Sequence, residues 1–135
     1  MASSIYADLG EGTPQRTIIA LLESASDGTA TITTDATRPV FGKAFSYEVR
    51  PFTDSYQPSN NFSVTMLDDG SPAKSVVRAP AGLSSAVSNS AVTEGTVLDA
   101  NSLTAPYIIG GRRITFAASG MGSGKKAYVI LNVLR

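Results

Sequence analysis

Arg112-Arg-Ile-Thr-Phe-Ala-Ala-Ser-Gly-Met-Gly-Ser-Gly-Lys-Lys-Ala-Tyr-Val-Ile-Leu-Asn-Val-Leu-Arg135 is the stretch that decides the fold class. Ile114, Phe116 and Ala118 recur at every second residue, the period of a strand with one buried face. Ser119-Gly-Met-Gly-Ser-Gly124 is too rich in glycine to continue any regular element. From Ala127 to Leu134 both faces are apolar. Such a strand is expected in the middle of a sheet or against a partner subunit. The whole reads as a glycine-looped hairpin, Arg112–Ala118 paired with Lys125–Leu134.

The same period extends upstream. Phe62, Val64 and Met66 alternate with Ser63 and Thr65, and Asp68-Asp69-Gly70-Ser71-Pro72 then makes a turn. Lys74–Ala79, with Val76 and Val77, reads as the returning strand. Phe45, Tyr47 and Val49 fall on one face and Ser46, Glu48 and Arg50 on the other, ending at Pro51. Thr53–Asn60 is a loop. Asp27-Gly28 is a hairpin turn signal followed by Thr29-Ala-Thr-Ile-Thr-Thr34, which is β-branched and alternating. Its partner would be Thr17–Glu23. Thr13-Pro14 also fits the start of a helix carrying Ile18, Leu21, Leu22 and Ala25 on one face, and the strand is preferred. Ala81–Thr93 reads as a loop or one short helix. Gly95–Asp99 and Ala105–Ile109 are extended, with Gly110-Gly111 as punctuation. Met1–Gly12 reads as an arm whose apolar points are Ile5, Tyr6 and Leu9, held by its own domain or by a neighbour. The prediction is therefore an all-β chain: an extended N-terminal arm (1–12) and a single β-sandwich or small β-barrel domain (13–135).

At 135 residues one core is affordable without covalent staples, and none are available, since cysteine is absent. Histidine is absent too. The chain thus lacks the usual base near neutral pH, the thiol nucleophile and the commonest transition-metal ligands. Lysine plus arginine equal aspartate plus glutamate, at 11 each. Zero net charge argues against nucleic acid, which demands a basic excess. The opening residues do not form a secretory signal, and Ile18–Leu22 is far too short an apolar run to cross a bilayer. Charge is unevenly spread. Asp8, Glu11, Glu23, Asp27 and Asp35 precede an end in which Arg112, Arg113, Lys125, Lys126 and Arg135 follow the last acid, Asp99. The acidic and basic ends are taken to meet within one fold or to be solvated, in preference to joining subunits.

The apparent motifs weigh against chemistry. Gly120, Gly122, Gly124 and Lys125 mimic a phosphate loop, but Ser119 stands where the first glycine is needed and Lys126 where Ser or Thr is needed. Asp68, Asp69 and Asp54 offer oxygens for calcium at a spacing unlike an EF-hand, so a plain turn is preferred. No second carboxylate is placed opposite them for glycoside hydrolysis. Ser71 and Lys74 have dyad spacing, but Pro72 between them suits a turn. Arg112-Arg113 would point to opposite faces of a strand and so cannot clamp one anion together, although either suits an intersubunit contact.

Asn61-Phe-Ser-Val-Thr-Met-Leu-Asp-Asp-Gly70 and the segment from Gly111 to Arg135, with the opening arm and the Ser/Thr/Ala/Gly-rich composition, resemble small structural proteins of tailed-phage particles. The likeness is to capsid decoration (cement) proteins above all, and it covers about half of the chain. It implies a β-sandwich or β-barrel subunit that binds the major capsid protein or another virion protein. It also implies self-association as a trimer or other small cluster, and location in the virion after synthesis in the host cytoplasm. It carries over no catalytic residue. The expectation is thus a non-enzymatic protein with no cofactor or metal and no nucleic-acid or membrane partner, whose candidate interface is Ile5, Tyr6, Leu9, Arg112 and Arg113. The alternatives are a tail or head–tail junction protein, or a carbohydrate- or receptor-binding module using Tyr56 and Tyr107.

Overall fold

The computed structural model describes residues 3–71, 76, 87–96 and 107–135. Among them stand β1 (Ser4–Leu9), β2 (Gln15–Glu23), β3 (Ala30–Thr33), β4 (Val40–Pro51), β5 (Ser63–Asp68), β6 (Thr93–Thr96), β7 (Tyr107–Arg112), β8 (Ile114–Ser119) and β9 (Lys126–Leu134), and no helix. The large sheet runs β1-β2-β9-β4-β6, with β7 as a sixth strand also paired to β4. The small sheet runs β3-β8-β5. Every pairing is antiparallel, and the expected all-β class is what forms.

One core lies between the sheets. Ile18, Ala20 and Leu22 of β2, Ala127, Val129, Leu131 and Val133 of β9, and Tyr47 and Val49 of β4 meet Val64 and Met66 of β5 and Ile114 and Phe116 of β8. As anticipated, β9 is central, flanked by β2 along its whole length and by β4.

Connectivity departs from the expected hairpins. β8 pairs with β3 and β5 in the small sheet, whereas β9 pairs with β2 and β4 in the large one. The glycine loop between them is therefore a corner from sheet to sheet. The reason lies at its centre: Met121 is fully buried and plugs the end of the core, where a hairpin tip would leave it in water. Asp27-Gly28 is likewise a corner, because both sides of β2 are already occupied by β1 and β9. Gly28 has a φ of 84°, and a Cβ on it would stand 3.2 Å from the Gly122 nitrogen. The two corners are knitted together. Met121 N–H donates to Gly28 O at 3.1 Å, Ser24 N–H to Lys125 O at 2.8 Å and Lys125 N–H to Ser24 Oγ at 2.8 Å.

Other expectations are corrected by register. Within the stretch read as an arm, Ser4–Leu9 forms β1 and is held by its own domain through β2, one of the two holders the sequence leaves open. Phe45 does not share the buried face of Tyr47. The β4–β9 register shifts between Ala44 and Ser46, so Val40 and Ala44 point inward before the bulge and Tyr47 and Val49 after it. Of the extended stretch Ala105–Ile109, residues 107–109 lie in β7, which runs on through both glycines to Arg112, and residues 105 and 106 lie outside the described residues. Of the expected returning strand Lys74–Ala79, only Val76 is among the described residues, its N–H donating to Met66 O at 2.8 Å. Residues 81–86 of the loop or helix, and 97–99 of the strand begun at Gly95, also lie outside the described residues.

Two outcomes follow for stability. Phe116→Ala, which empties a fully buried site facing the large sheet, should cost about 3–5 kcal/mol in urea unfolding. At the first corner, Asp27 accepts hydrogen bonds from the Thr29 hydroxyl and N–H. These bonds, the hydroxyl's first, hold its carboxyl below the ordinary value. A lowered folded value stabilises above the unfolded pKa and is lost as pH falls through the folded one. Asp27→Ala should therefore differ from the parent in unfolding midpoint at neutral pH, and the difference should close as pH drops through the carboxylate range.

Candidate functional site

The large sheet has two faces, and the small sheet covers one of them. On the other, cross-strand register sets Leu21, Tyr128 and Arg50 in one row, and Ile19, Ile130 and Glu48 in the next. All but Arg50, which is exposed, are only half-buried. A third row is polar and closed on itself: Thr17 Oγ1 donates to Asn132 Oδ1 at 2.8 Å, and Asn132 Nδ2 donates to Ser46 Oγ at 2.9 Å. An aromatic ribbon borders the first row. Tyr6 meets Tyr128 edge-on at 5.2 Å between ring centres, Phe52 lies 5.3 Å from Tyr128, and Tyr56 lies 6.3 Å from Phe52. The Lys126 ammonium sits over the Tyr56 ring at 4.1 Å. Tyr6 remains 63% exposed and Tyr56 41%. The result is a broad, half-covered apolar face with charges at its margin, suited to another surface rather than to a small molecule.

One buried ion pair holds this face together at its β1 side. Arg16 of β2 points inward and is 3% exposed. Its Nε donates to Asp8 Oδ1 at 2.8 Å and its Nη2 to Asp8 Oδ2 at 2.7 Å. Nη1 and Nη2 also donate to Pro39 O at 2.9 Å and Arg38 O at 3.0 Å. The hydrogen bond and charge of Asp8 raise the Arg16 pKa further, against desolvation. Arg38 reaches Glu11 at 2.9 Å from the other side.

The sequence-predicted interface residues do not gather in one place. Tyr6 and Leu9 are exposed on β1, Leu9 opposite Thr17. Ile5 packs instead against the core. β2, β9 and β4 separate β1 from β7, the strand that ends at Arg112. Arg112 is exposed, but Arg113 serves the fold: its Nε donates to Thr34 O at 2.8 Å and its N–H to Asp69 Oδ1 at 3.2 Å. Tyr107, expected in a loop, opens β7. The sequence does not single out Leu21 and Phe52 as surface, and the two apolar faces of β9 read as the middle of a sheet or contact with a partner subunit, without marking Tyr128 and Ile130 as the more exposed side.

The remaining motifs resolve into structure. In the glycine loop, the N–H groups of Met121, Gly124 and Lys125 are committed to Gly28 and Ser24, and the Lys125 ammonium donates to Ser55 O at 3.1 Å. Asp68 Oδ1 accepts from Gly70 N–H and Asp54 Oδ1 from Tyr56 N–H, as turn carboxylates do. Among the described residues no group of three or more acids could hold a metal ion, and no helix is long and apolar enough to cross a membrane. A shallow cavity of about 230 Å³ is lined by Glu11, Gly12, Arg16, Pro39, Phe41 and Arg135. Its buried cation, Arg16, is already engaged with Asp8 and two backbone carbonyls.

No protein-family model matches the chain, and neither a curated protein nor a solved structure does so.

Asp8→Ala leaves a buried guanidinium without its counter-charge and should cost about 3–5 kcal/mol in urea unfolding. Replacing Asp8 and Arg16 together by leucine should cost less than that single change, since no charge is then stranded.

Proposed function

We propose that this is a non-enzymatic structural protein of a phage particle, a capsid decoration subunit that binds the lattice through the outer face of its large sheet. One observation carries the reading: Leu21, Ile19, Tyr128 and Ile130 form a contiguous apolar surface, bordered by Tyr6, that the rest of the described chain leaves half-covered. Burial of such a surface against a neighbour supplies affinity without chemistry. The virion itself comes from the resemblance in Asn61–Gly70 and Gly111–Arg135.

A glycan-binding module is the second reading, favoured by the exposure of Tyr6 and Tyr56. The rings meet one another edge-on, with Lys126 already over Tyr56. A sugar platform needs an open ring face, so the lattice reading stands first.

The test is co-sedimentation with capsids of the source that lack the protein. Saturable binding at a fixed ratio to the shell protein is expected. Ile130→Lys faces Glu48 across the strand pair and leaves the core untouched, so it should weaken occupancy about tenfold or more with little change in the unfolding midpoint. Unchanged occupancy would remove this face as the contact. No binding by the parent, with glycan binding lost in Tyr56→Ala, would establish the second reading.

A further inference from the structure

A sheet edge exposes backbone donors and acceptors, and proteins usually guard it. Two edges of this molecule carry such guards. β1 has a register shift between Ile5 and Ala7 and turns the Asp8 carboxylate inward to Arg16. β6 is short and carries Glu94. β3 is as short as β6 but has neither a register shift nor a charged residue of its own. Ala30-Thr-Ile-Thr33 pairs with β8 in unbroken register and bears no charge, proline or bulge.

The phase of the β3–β8 ladder shows which groups are left over. Thr34 N–H donates to Ile114 O at 3.0 Å. Alternation then assigns the bonded positions to Ile32 opposite Phe116 and Ala30 opposite Ala118. Thr31 and Thr33 occupy the other positions, consistent with their close side-chain approach, Thr33 Oγ1 to Thr115 Oγ1 at 2.8 Å. Their N–H and C=O groups point away from β8, and no described residue bonds to them. The rim beside this edge is also incompletely filled. Ile32 faces inward but is only half-buried, and so is Ile5 of β1, the strand that β3 lies against across the sandwich.

We propose that the free edge of β3 is a strand-addition site for an extended segment of a partner protein, uncharged and β-branched at its centre and basic at its ends. The added strand takes the Thr31 and Thr33 backbone groups into a ladder and lays an inward side chain over Ile32 and Ile5. The basic ends follow from Asp27 and Asp35, which stand exposed on either side of β3; Arg38 and Arg113 offset part of the charge at Asp35, so the Asp27 end dominates the selection. The same acids disfavour a second copy as occupant. Antiparallel pairing of two β3 strands about a two-fold axis would carry Asp27 of one copy toward Asp35 of the other, a repulsion that Arg38 and Arg113 beside Asp35 offset only in part. This site does not depend on the lattice reading and uses a different surface from the large-sheet face.

The full-length chain, labelled with nitrogen-15, tests it by amide exchange. The probes are the peptide acetyl-Lys-Val-Thr-Val-Thr-Lys-amide and its counterpart with aspartate at both ends. Without peptide, the Thr31 and Thr33 amides should exchange fast and the Ile32 amide slowly. Excess lysine-ended peptide should slow Thr31 and Thr33 about tenfold or more, and the aspartate-ended one should do so less. Thr31→Pro removes an outward N–H that the β3–β8 ladder does not use, so Ile32 protection should survive while peptide binding weakens about tenfold. Unchanged exchange of Thr31 and Thr33 at saturating peptide would overturn the proposal, as would protection appearing on β1 or β6 instead. Concentration-dependent protection of Thr31 in the free protein would overturn the choice of partner in favour of a second copy. The exchange measurement on the parent chain stands whether or not the proline variant folds.

Discussion

Arg16 carries a permanent charge at a site 3% exposed, which is tolerable because Asp8 supplies the counter-charge and four hydrogen bonds engage its guanidinium. Asp8 takes two of its donors in parallel, and the carbonyls of Arg38 and Pro39 take others. Three parts of the chain meet on this one group: β1 through Asp8, β2 through Arg16 itself, and the connection between β3 and β4 through Arg38 and Pro39. That connection carries the chain back from the small sheet to the large one. The ion pair therefore fixes the outermost strand and a sheet-to-sheet crossing together. Its fork geometry adds direction that apolar packing alone would not.

The second constraint is one of numbers. A six-stranded sheet faces a three-stranded one, so only one face of the large sheet is covered by the small one. The same apolar pattern on β9 thus has two outcomes. Ala127, Val129, Leu131 and Val133 are buried completely, and Tyr128 and Ile130 only by half. The aromatic contacts among Tyr6, Tyr128 and Phe52 shelter part of that second face at its edge. The polar row of Thr17, Asn132 and Ser46 bounds it on the other side with its hydrogen bonds satisfied internally.

Alternation was legible where a strand is regular. Val64 and Met66, Ile114, Phe116 and Ala118, and Tyr47 and Val49 were all placed on buried faces from spacing alone. Pairing was less legible. An Asp-Gly step or a glycine-rich loop bends the chain by the same local chemistry whether it returns to the same sheet or crosses to the other. What separates the cases is the burial of Met121, a tertiary fact with no local signal. Phe45 was misplaced because a bulge changes the parity of a strand without changing its composition. The face with Leu21 and Ile130 was hidden for a related reason. Apolar residues on both sides of a strand show that both sides are shielded to some degree, but not which one is left for a partner. The available hint was the charge pattern, since Glu48 and Arg50 share that face, as does Lys126 of β9.

Asp8 links these constraints. A carboxylate turned toward the interior of an edge strand discourages another strand from adding there, and the adjacent bulge does the same. The residue that anchors β1 by its ion pair thereby also closes the β1 edge to outside pairing. β3, by contrast, has no inward charge and no bulge, whereas β5 at the other edge of the small sheet ends on the buried Asp68. Asp8 thus stabilises the sheet that carries the broad apolar face and discourages pairing at that sheet's own edge. On the two proposals, contact by side chains uses the outer face of the large sheet and contact by backbone uses the β3 edge, with Ile5 of β1 beneath the added strand. Each contact can then change in strength separately, because Leu21, Ile19, Tyr128 and Ile130 take no part in the second and Thr31 and Thr33 take none in the first.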